Sequence, residues 1–206
     1  MKKEPKLIRV TSVLSFVESA WKEYWWRSVG FEAADKISKD SAEFGTSVHR
    51  LVQSTLEGMN IEPESNEQML CANAILEYLQ KIDAKPMFET WDKSLEIEVK
   101  DVILGLVGHF DGAVIIDGVP TIIDFKTSNK MRKSFPLQKA AYAKMLNKKL
   151  NGVVEVDTGL TIRSHWNKET QQVDFEIKEY KNLMKTYWPK FKACLDCWKY
   201  FNRAEK

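Results

Sequence analysis

Three cysteines in 206 residues cannot all pair. Their scarcity argues against a secreted disulfide scaffold and for a reducing compartment such as the cytoplasm. Nine glycines and six prolines are too few and too scattered for a low-complexity tract or a flexible interdomain linker. No apolar run approaches the roughly 18–20 residues that a membrane span needs. The start, Met1-Lys2-Lys3-Glu4-Pro5-Lys6, has no apolar targeting core behind it. No internal repeat is visible. What is present suits one domain with a buried core: 44% of residues are apolar and 29% charged, which is not the composition of a disordered chain.

A near-neutral total of +2 hides a strong asymmetry. Between Phe125 and Val154 there is no acidic residue, while Lys126, Lys130, Arg132, Lys133, Lys139, Lys144, Lys148 and Lys149 all fall there. The last thirty residues carry eight more basic groups against Glu179, Asp196 and Glu205. A one-signed stretch of this size attracts polyanions, although a solvated helix face reads the same way.

Periodicity divides the chain into a mainly helical part (1–93), a strand-rich part (94–177) and a terminal helix (178–206). Val10-Thr11-Ser12-Val13-Leu14 leads into a helix with Thr11 or Ser12 as its cap. That helix carries Trp21, Tyr24, Trp25 and Trp26, too apolar to stand free in water. A second helix from Ser41 to Glu57 sets Phe44, Val48, Leu51, Val52 and Leu56 on one stripe, and a third spans Asn66 to Ile82. Strands follow at Leu95–Val99, Leu104–Ile116 and Thr121–Phe125, with Asp117-Gly118 as a hairpin turn. Pro136 suits the first turn of the next helix. Val153–Ile162 and Gln172–Ile177 read as further strands, and a helix from Lys178 to Phe201 should kink at Pro189. The fold class is α/β or α+β, with helices flanking a central sheet.

A two-residue turn at Asp117-Gly118 puts Ile116 opposite Val119 and therefore Asp111 opposite Asp124, on one face. Like charges at opposed positions destabilise a sheet unless something positive lies between them. Lys126, two residues beyond Asp124, emerges on that same face. Hard oxygen ligands beside an amine suit Mg²⁺ or Mn²⁺ and the orientation of an attacking water. A structural ion pair is the plainer reading, and buried charges seldom stabilise better than apolar substitutes. His49 lies just off the stripe of the second helix, with Gly45 one turn before it. A lone histidine there is more often a hydrogen-bonded core residue than a ligand, so its role stays open on the residues alone. His109 and His165 have weaker cases. Glu96 and Glu98 point the same way from the preceding strand and can reach the cluster or remain exposed edge residues. Gln138 and Tyr142, four apart on one helix, can bond a phosphate and stack on a base, with surface and core roles as the default.

Gly45-Thr46-Ser47-Val48-His49, Glu96, Gly108-His109-Phe110-Asp111, Ile123-Asp124-Phe125-Lys126-Thr127-Ser128 and Gln138-Lys139-Ala140-Ala141-Tyr142, in that order, resemble the RecB-like branch of the PD-(D/E)XK nuclease superfamily, with a likeness to its mitochondrial genome-maintenance and phage exonucleases. The resemblance implies a restriction-endonuclease-like core: a central mixed sheet flanked by helices, with helical additions at both ends. It implies a DNA nuclease, most simply an exonuclease on single-stranded ends, with one or two Mg²⁺ or Mn²⁺ ions. His49, Asp111, Asp124 and the backbone carbonyl of Phe125 would hold the metal. Lys126 would be the catalytic lysine, and Glu96 matches an acidic position before the core aspartates. Gln138 and Tyr142 match a Q-x-x-x-Y motif that contacts DNA, and Lys130, Arg132, Lys133 and Lys139 would follow the backbone. Asp124→Ala or Lys126→Ala is then expected to abolish cleavage and spare the fold. Some relatives carry a four-cysteine iron–sulfur cluster; with only Cys71, Cys194 and Cys197 here, none is expected.

Overall fold

In the computed structural model, which describes residues 7–202 and all their side chains except that of Trp21, the chain runs β1 (Ile8–Arg9), α1 (Val10–Val17), α2 (Ser19–Val29), α3 (Phe31–Leu56), α4 (Asn66–Lys81), β2 (Lys85–Pro86), α5 (Trp91–Ser94), β3 (Leu95–Asp101), β4 (Leu106–Ile116), β5 (Val119–Lys126), α6 (Phe135–Leu150), β6 (Thr158–Asn167), β7 (Gln172–Tyr180), one π-helical turn (Leu183–Tyr187) and α7 (Trp188–Phe201). The reading of Met1–Lys6, the charge of Glu205 and the side-chain role of Trp21 lie outside the described residues.

The β4–β5 hairpin has the expected turn. Asp117 and Gly118 take φ of +50° and +78°, the paired left-handed conformation that matches strand twist. Pairs run from Ile116↔Val119 to Gly112↔Ile123. Pro120 faces Ile115 at a non-hydrogen-bonded position, where its missing N–H breaks no ladder bond. β4 pairs with four strands of a seven-stranded mixed sheet, with β3 antiparallel on one side and β5 antiparallel on the other. β6 runs parallel to β5, and β7 closes that edge antiparallel to β6.

The two faces of the sheet pack against different helices, with strand alternation holding on either side of Asp111 but not across it. Ile97, Val99, Phe110, Ala113 and Ile122 pack with α1, α6, the π turn and α7. Val114, Ile123, Phe125, Leu160 and Ile162 pack with α3 and α4. The result is three layers, helices over a sheet over helices. Phe110 and Tyr142 stack at 5.3 Å, and a Cβ on Gly108 would stand 2.4 Å from the Tyr142 ring. Only a glycine lets α6 come this close to β4. Among the described residues no helix is long and apolar enough to cross a membrane.

Several boundaries move. Arg9, not Thr11 or Ser12, is the cap residue of α1, and no side chain caps it. The aromatic-rich segment is a separate helix, α2, broken from α1 at Glu18. It packs beside α1 and α3 instead of on the sheet, so Tyr24 and Trp26 stay exposed and Trp26 leans on Phe31 at 6.2 Å. α3 begins ten residues earlier than periodicity suggests, because its first turns lie beyond the sheet and carry no continuous apolar stripe. β1 and β2 are two-residue strands that no pattern could mark, and they tie the helical N-terminal part into the same sheet. The sixth strand starts at Thr158, not Val153, and β7 continues to Tyr180. Pro189 lies in the first turn of α7, where its missing N–H is harmless, so it starts the helix instead of kinking it.

Candidate functional site

Both neighbours of β4 release it at one residue, Asp111. On the β5 side the ladder ends at Gly112↔Ile123, and β1 takes the vacated flank of β4 further down, at Leu106 and Val107. On the β3 side the register passes from Leu95↔Gly112 to Ile97↔Phe110 without a Glu96–Asp111 pair. Glu96 has φ of +47°, an uncommon and costly conformation for a side chain of this kind. Its carbonyl is held by His109 Nε2 at 2.9 Å. The sheet thus opens at Asp111, on both sides of β4.

The opening gathers three metal-ligating side chains. Donor atoms of His49, Glu96 and Asp111 all lie within 4.8 Å of one another. His49 arrives from α3 and sets Nδ1 3.3 Å from Asp111 Oδ1, its ring edge against Phe125. Gly45, one turn earlier, leaves room for Thr127: a Cβ there would stand 2.9 Å from Thr127 Oγ1. Asp111 Oδ2 accepts the Phe125 N–H at 2.5 Å, replacing the ladder bond that is missing where the strands part. Phe125 therefore meets the cluster through its N–H.

Asp124 stands beside this trio with different partners. Its Oδ1 accepts from Lys126 Nζ at 2.5 Å and its Oδ2 from Lys139 Nζ at 2.9 Å. Lys139 is completely buried. It also donates to Thr161 Oγ1 at 2.5 Å and lies 5.9 and 5.6 Å from the ring centres of Phe135 and Tyr180. Gly159 makes room for its stem, since a Cβ there would come within 2.7 Å of Lys139 Cδ. Asp111 and Asp124 thus do not meet as a simple facing pair: α3 claims the first and α6 the second.

Charge follows this division. Burial pushes the Asp111 carboxyl up, but His49, Lys126 and the Phe125 N–H hold it down at about 2. Burial lowers the His49 imidazole, and Asp111 more than reverses this, leaving it raised. Partial burial and the charge of Asp111 both raise Glu96, as expected of neighbouring carboxylates. Burial lowers Lys126, yet Asp124 and Asp111 win and keep it an ammonium. Burial of Lys139 prevails over Asp124 and lowers its amine to about 8.

A pH effect follows. The Asp111 shift is downward, so its share of stability is complete above the usual carboxylate value and is lost as pH falls toward 2. The His49 shift is upward, so its share is complete below 6.5 and is lost as pH rises through the raised value. In Asp111→Asn the remaining influences, burial and Lys126, outweigh Asp124, and the His49 titration followed by NMR should drop below 6.5. An unchanged midpoint would show that the two groups do not interact.

The other expected site residues separate. Tyr142 is buried at 1% exposure and receives the Gln138 Nε2 hydrogen at 2.9 Å, so its ring is closed to a base. Gln138 is half-buried beside it. Lys139 is no backbone-tracking lysine, because its amine is sealed in the interior. Lys130 and Lys133 are exposed, and Arg132 is half-buried with Glu18 at 3.5 Å. Glu98 pairs with Lys100 at 2.8 Å, away from the trio, and His165 bonds the Thr127 carbonyl. Cys71 is a buried residue of α4, on the opposite face of the sheet from Cys194. Sequence reasoning missed Lys139 as an interior cation. The signal was present, since Phe135, Lys139, Tyr142, Ala143 and Leu146 form one helical stripe.

No protein-family model matches the chain, and no curated protein does. Among solved structures the chain is similar to SSO0001, with a TM-score of 0.48 and 14% identity over 99% of this chain and 80% of that one.

Proposed function

We propose that the protein is a divalent-metal-dependent nuclease that hydrolyses phosphodiester bonds of DNA, acting as an exonuclease on single-stranded ends. The observation that carries the reading is the break in the sheet at Asp111, which brings His49, Glu96 and Asp111 within 4.8 Å while Lys126 bonds Asp124 alongside. The donor set fits a cation. Two carboxylates and one imidazole are ligands for Mg²⁺ or Mn²⁺. His49, Glu96 and Asp111 would hold the ion. When bound, the ion lowers the pKa of a water and offsets charge on a phosphoryl oxygen.

The chain's own groups do the rest. Lys126, an ammonium on the Asp124 carboxylate, donates hydrogen bonds to an attacking water or to the phosphate, and it stabilises the negative charge that develops there. Asp124 fixes that amine, and Lys139, itself held by Thr161, fixes Asp124 from beneath. The Phe125 N–H locks the rotamer of Asp111. Electrostatic preorganisation of this kind acts most strongly where water is excluded.

One incubation tests the reading: end-labelled linear and circular single-stranded DNA with Mg²⁺, Mn²⁺ or EDTA. Linear DNA should shorten only with metal, and the circle should survive. Cutting of the circle would make the enzyme an endonuclease. If neither DNA changes with any metal, the nuclease reading fails.

A further inference from the structure

A cleft of about 460 Å³ lies open to solvent between the start of α6, β7 and the approach to α7. Its charged lining is of one sign: Arg132, Lys133, Lys178 and Lys190, with Tyr180 and Tyr187 between them and no carboxylate among the described lining residues. In a chain of net charge +2, such a lining is a local device and not a reflection of the total. Lys178 Nζ lies 5.8 Å from the Tyr180 ring centre and Lys190 Nζ 5.3 Å from that of Tyr187. These amines are poised at the aromatic walls. Glu18 partly offsets Arg132, so the inference rests on the three lysines. The cleft lies near the candidate site along the chain and in space: its lining residue Pro136 directly follows Phe135, and Lys126 Nζ is 5.2 Å from the centre of the Phe135 ring.

We propose that this cleft holds the single DNA strand next to the reacting phosphate, its backbone on Lys133, Lys178 and Lys190 and a base or sugar against Tyr187. The proposal rests on the nuclease reading and deepens it. A space of this size suits a nucleotide-sized group, and a basic groove with an aromatic wall binds single strands without reading sequence. It also relocates the DNA-binding surface. The basic stretch after Lys126 supplies only Lys133 and Arg132 to the cleft, and Lys178, Tyr187 and Lys190 come from more than forty residues later in the chain.

The test measures binding of fluorescein-labelled (dT)20 in EDTA, where no cleavage occurs, by the full chain and by Lys178→Glu/Lys190→Glu. Both side chains are exposed. Affinity should fall at least about tenfold. The slope of log K against log salt should flatten by about 1.4, at roughly 0.7 for each of the two phosphates that the variant leaves unneutralised. Lys81→Glu, exposed at the end of α4 under the opposite sheet face, should leave both unchanged. A strand carrying 5-iodouracil should photo-crosslink the wild-type protein at Tyr187. If wild type binds and cuts DNA while the double variant binds equally well with the same salt slope, the cleft is not the track and the nuclease reading stands. If wild type neither binds nor cuts, both fall. Should the double variant not fold, crosslinks confined to other segments of the wild-type protein overturn the proposal by themselves.

Discussion

Asp124→Ala is expected to lose metal-dependent hydrolysis and, at the same time, about 3–5 kcal/mol of stability. Asp124 is 2% exposed, and its two oxygens compensate two lysines, of which Lys139 has no access to water. Removing the carboxylate takes the charge partner from an amine that burial already lowers to about 8. In its cage of Phe135, Tyr180 and the Gly159 backbone Lys139 then either stays an unpaired ammonium or gives up its proton, and both cost stability. The resemblance predicts that this substitution spares the fold, and the burial of Lys139 corrects it. Urea unfolding separates the two outcomes. Asp124→Ala/Lys139→Met should recover most of the lost stability, because the remaining lysine, Lys126, is partly exposed and can turn outward, yet it should remain inactive. With Lys139→Met measured alone as the fourth corner, the cycle gives the coupling between the two sites. If Asp124→Ala unfolds at the wild-type urea concentration, Lys139 is not held by this carboxylate.

Lys126→Ala should behave in the opposite way, with turnover lost and stability nearly kept. Its side chain is 20% exposed, and Asp124 retains Lys139 when it is gone. The expected fall in kcat on single-stranded DNA is about 10³-fold, within the range for a positioned proton-transfer or charge-stabilising group. KM should change little, since the amine faces Asp124 and not the lysine-lined cleft. An enzyme within threefold of wild-type kcat would remove Lys126 from the reaction. Both results together distinguish a reactive amine from a structural one. Lys126 and Lys139 share one carboxylate, but only Lys126 reaches the opening at Asp111.

The chemistry-bearing residues were readable where local rules govern them. Asp117-Gly118 forces one hairpin register, which sets Asp124 and Lys126 on one face; Asp111, which the same count places opposite Asp124, is released from the ladder instead. The stripe of α3 places His49 and Gly45 on the side facing the strands. What no local rule encodes is the break at Asp111. Strand alternation predicts that Glu96 and Asp111 continue their ladders, whereas the structure releases both and turns Glu96 to φ of +47°. That release makes Glu96, and not Asp124, the third member of the trio with His49 and Asp111. Tyr142 shows the same limit. Its position on α6 was correct, but a glycine on another strand, Gly108, decides that its ring is buried.

By itself, the order of residues determined the helices with strong stripes, the β4–β5 turn and the mixed α/β class, and it singled out the candidate site side chains. These follow from periods of two and 3.6 and from turn chemistry, all set within a few neighbours along the chain. Tertiary structure alone decided which carboxylate meets which cation, that Lys139 lies inside while Lys178 and Lys190 line a cleft, and where the sheet opens. Burial and charge partnership depend on segments far apart in sequence, and only their packing sets the distances over which desolvation and Coulomb forces act.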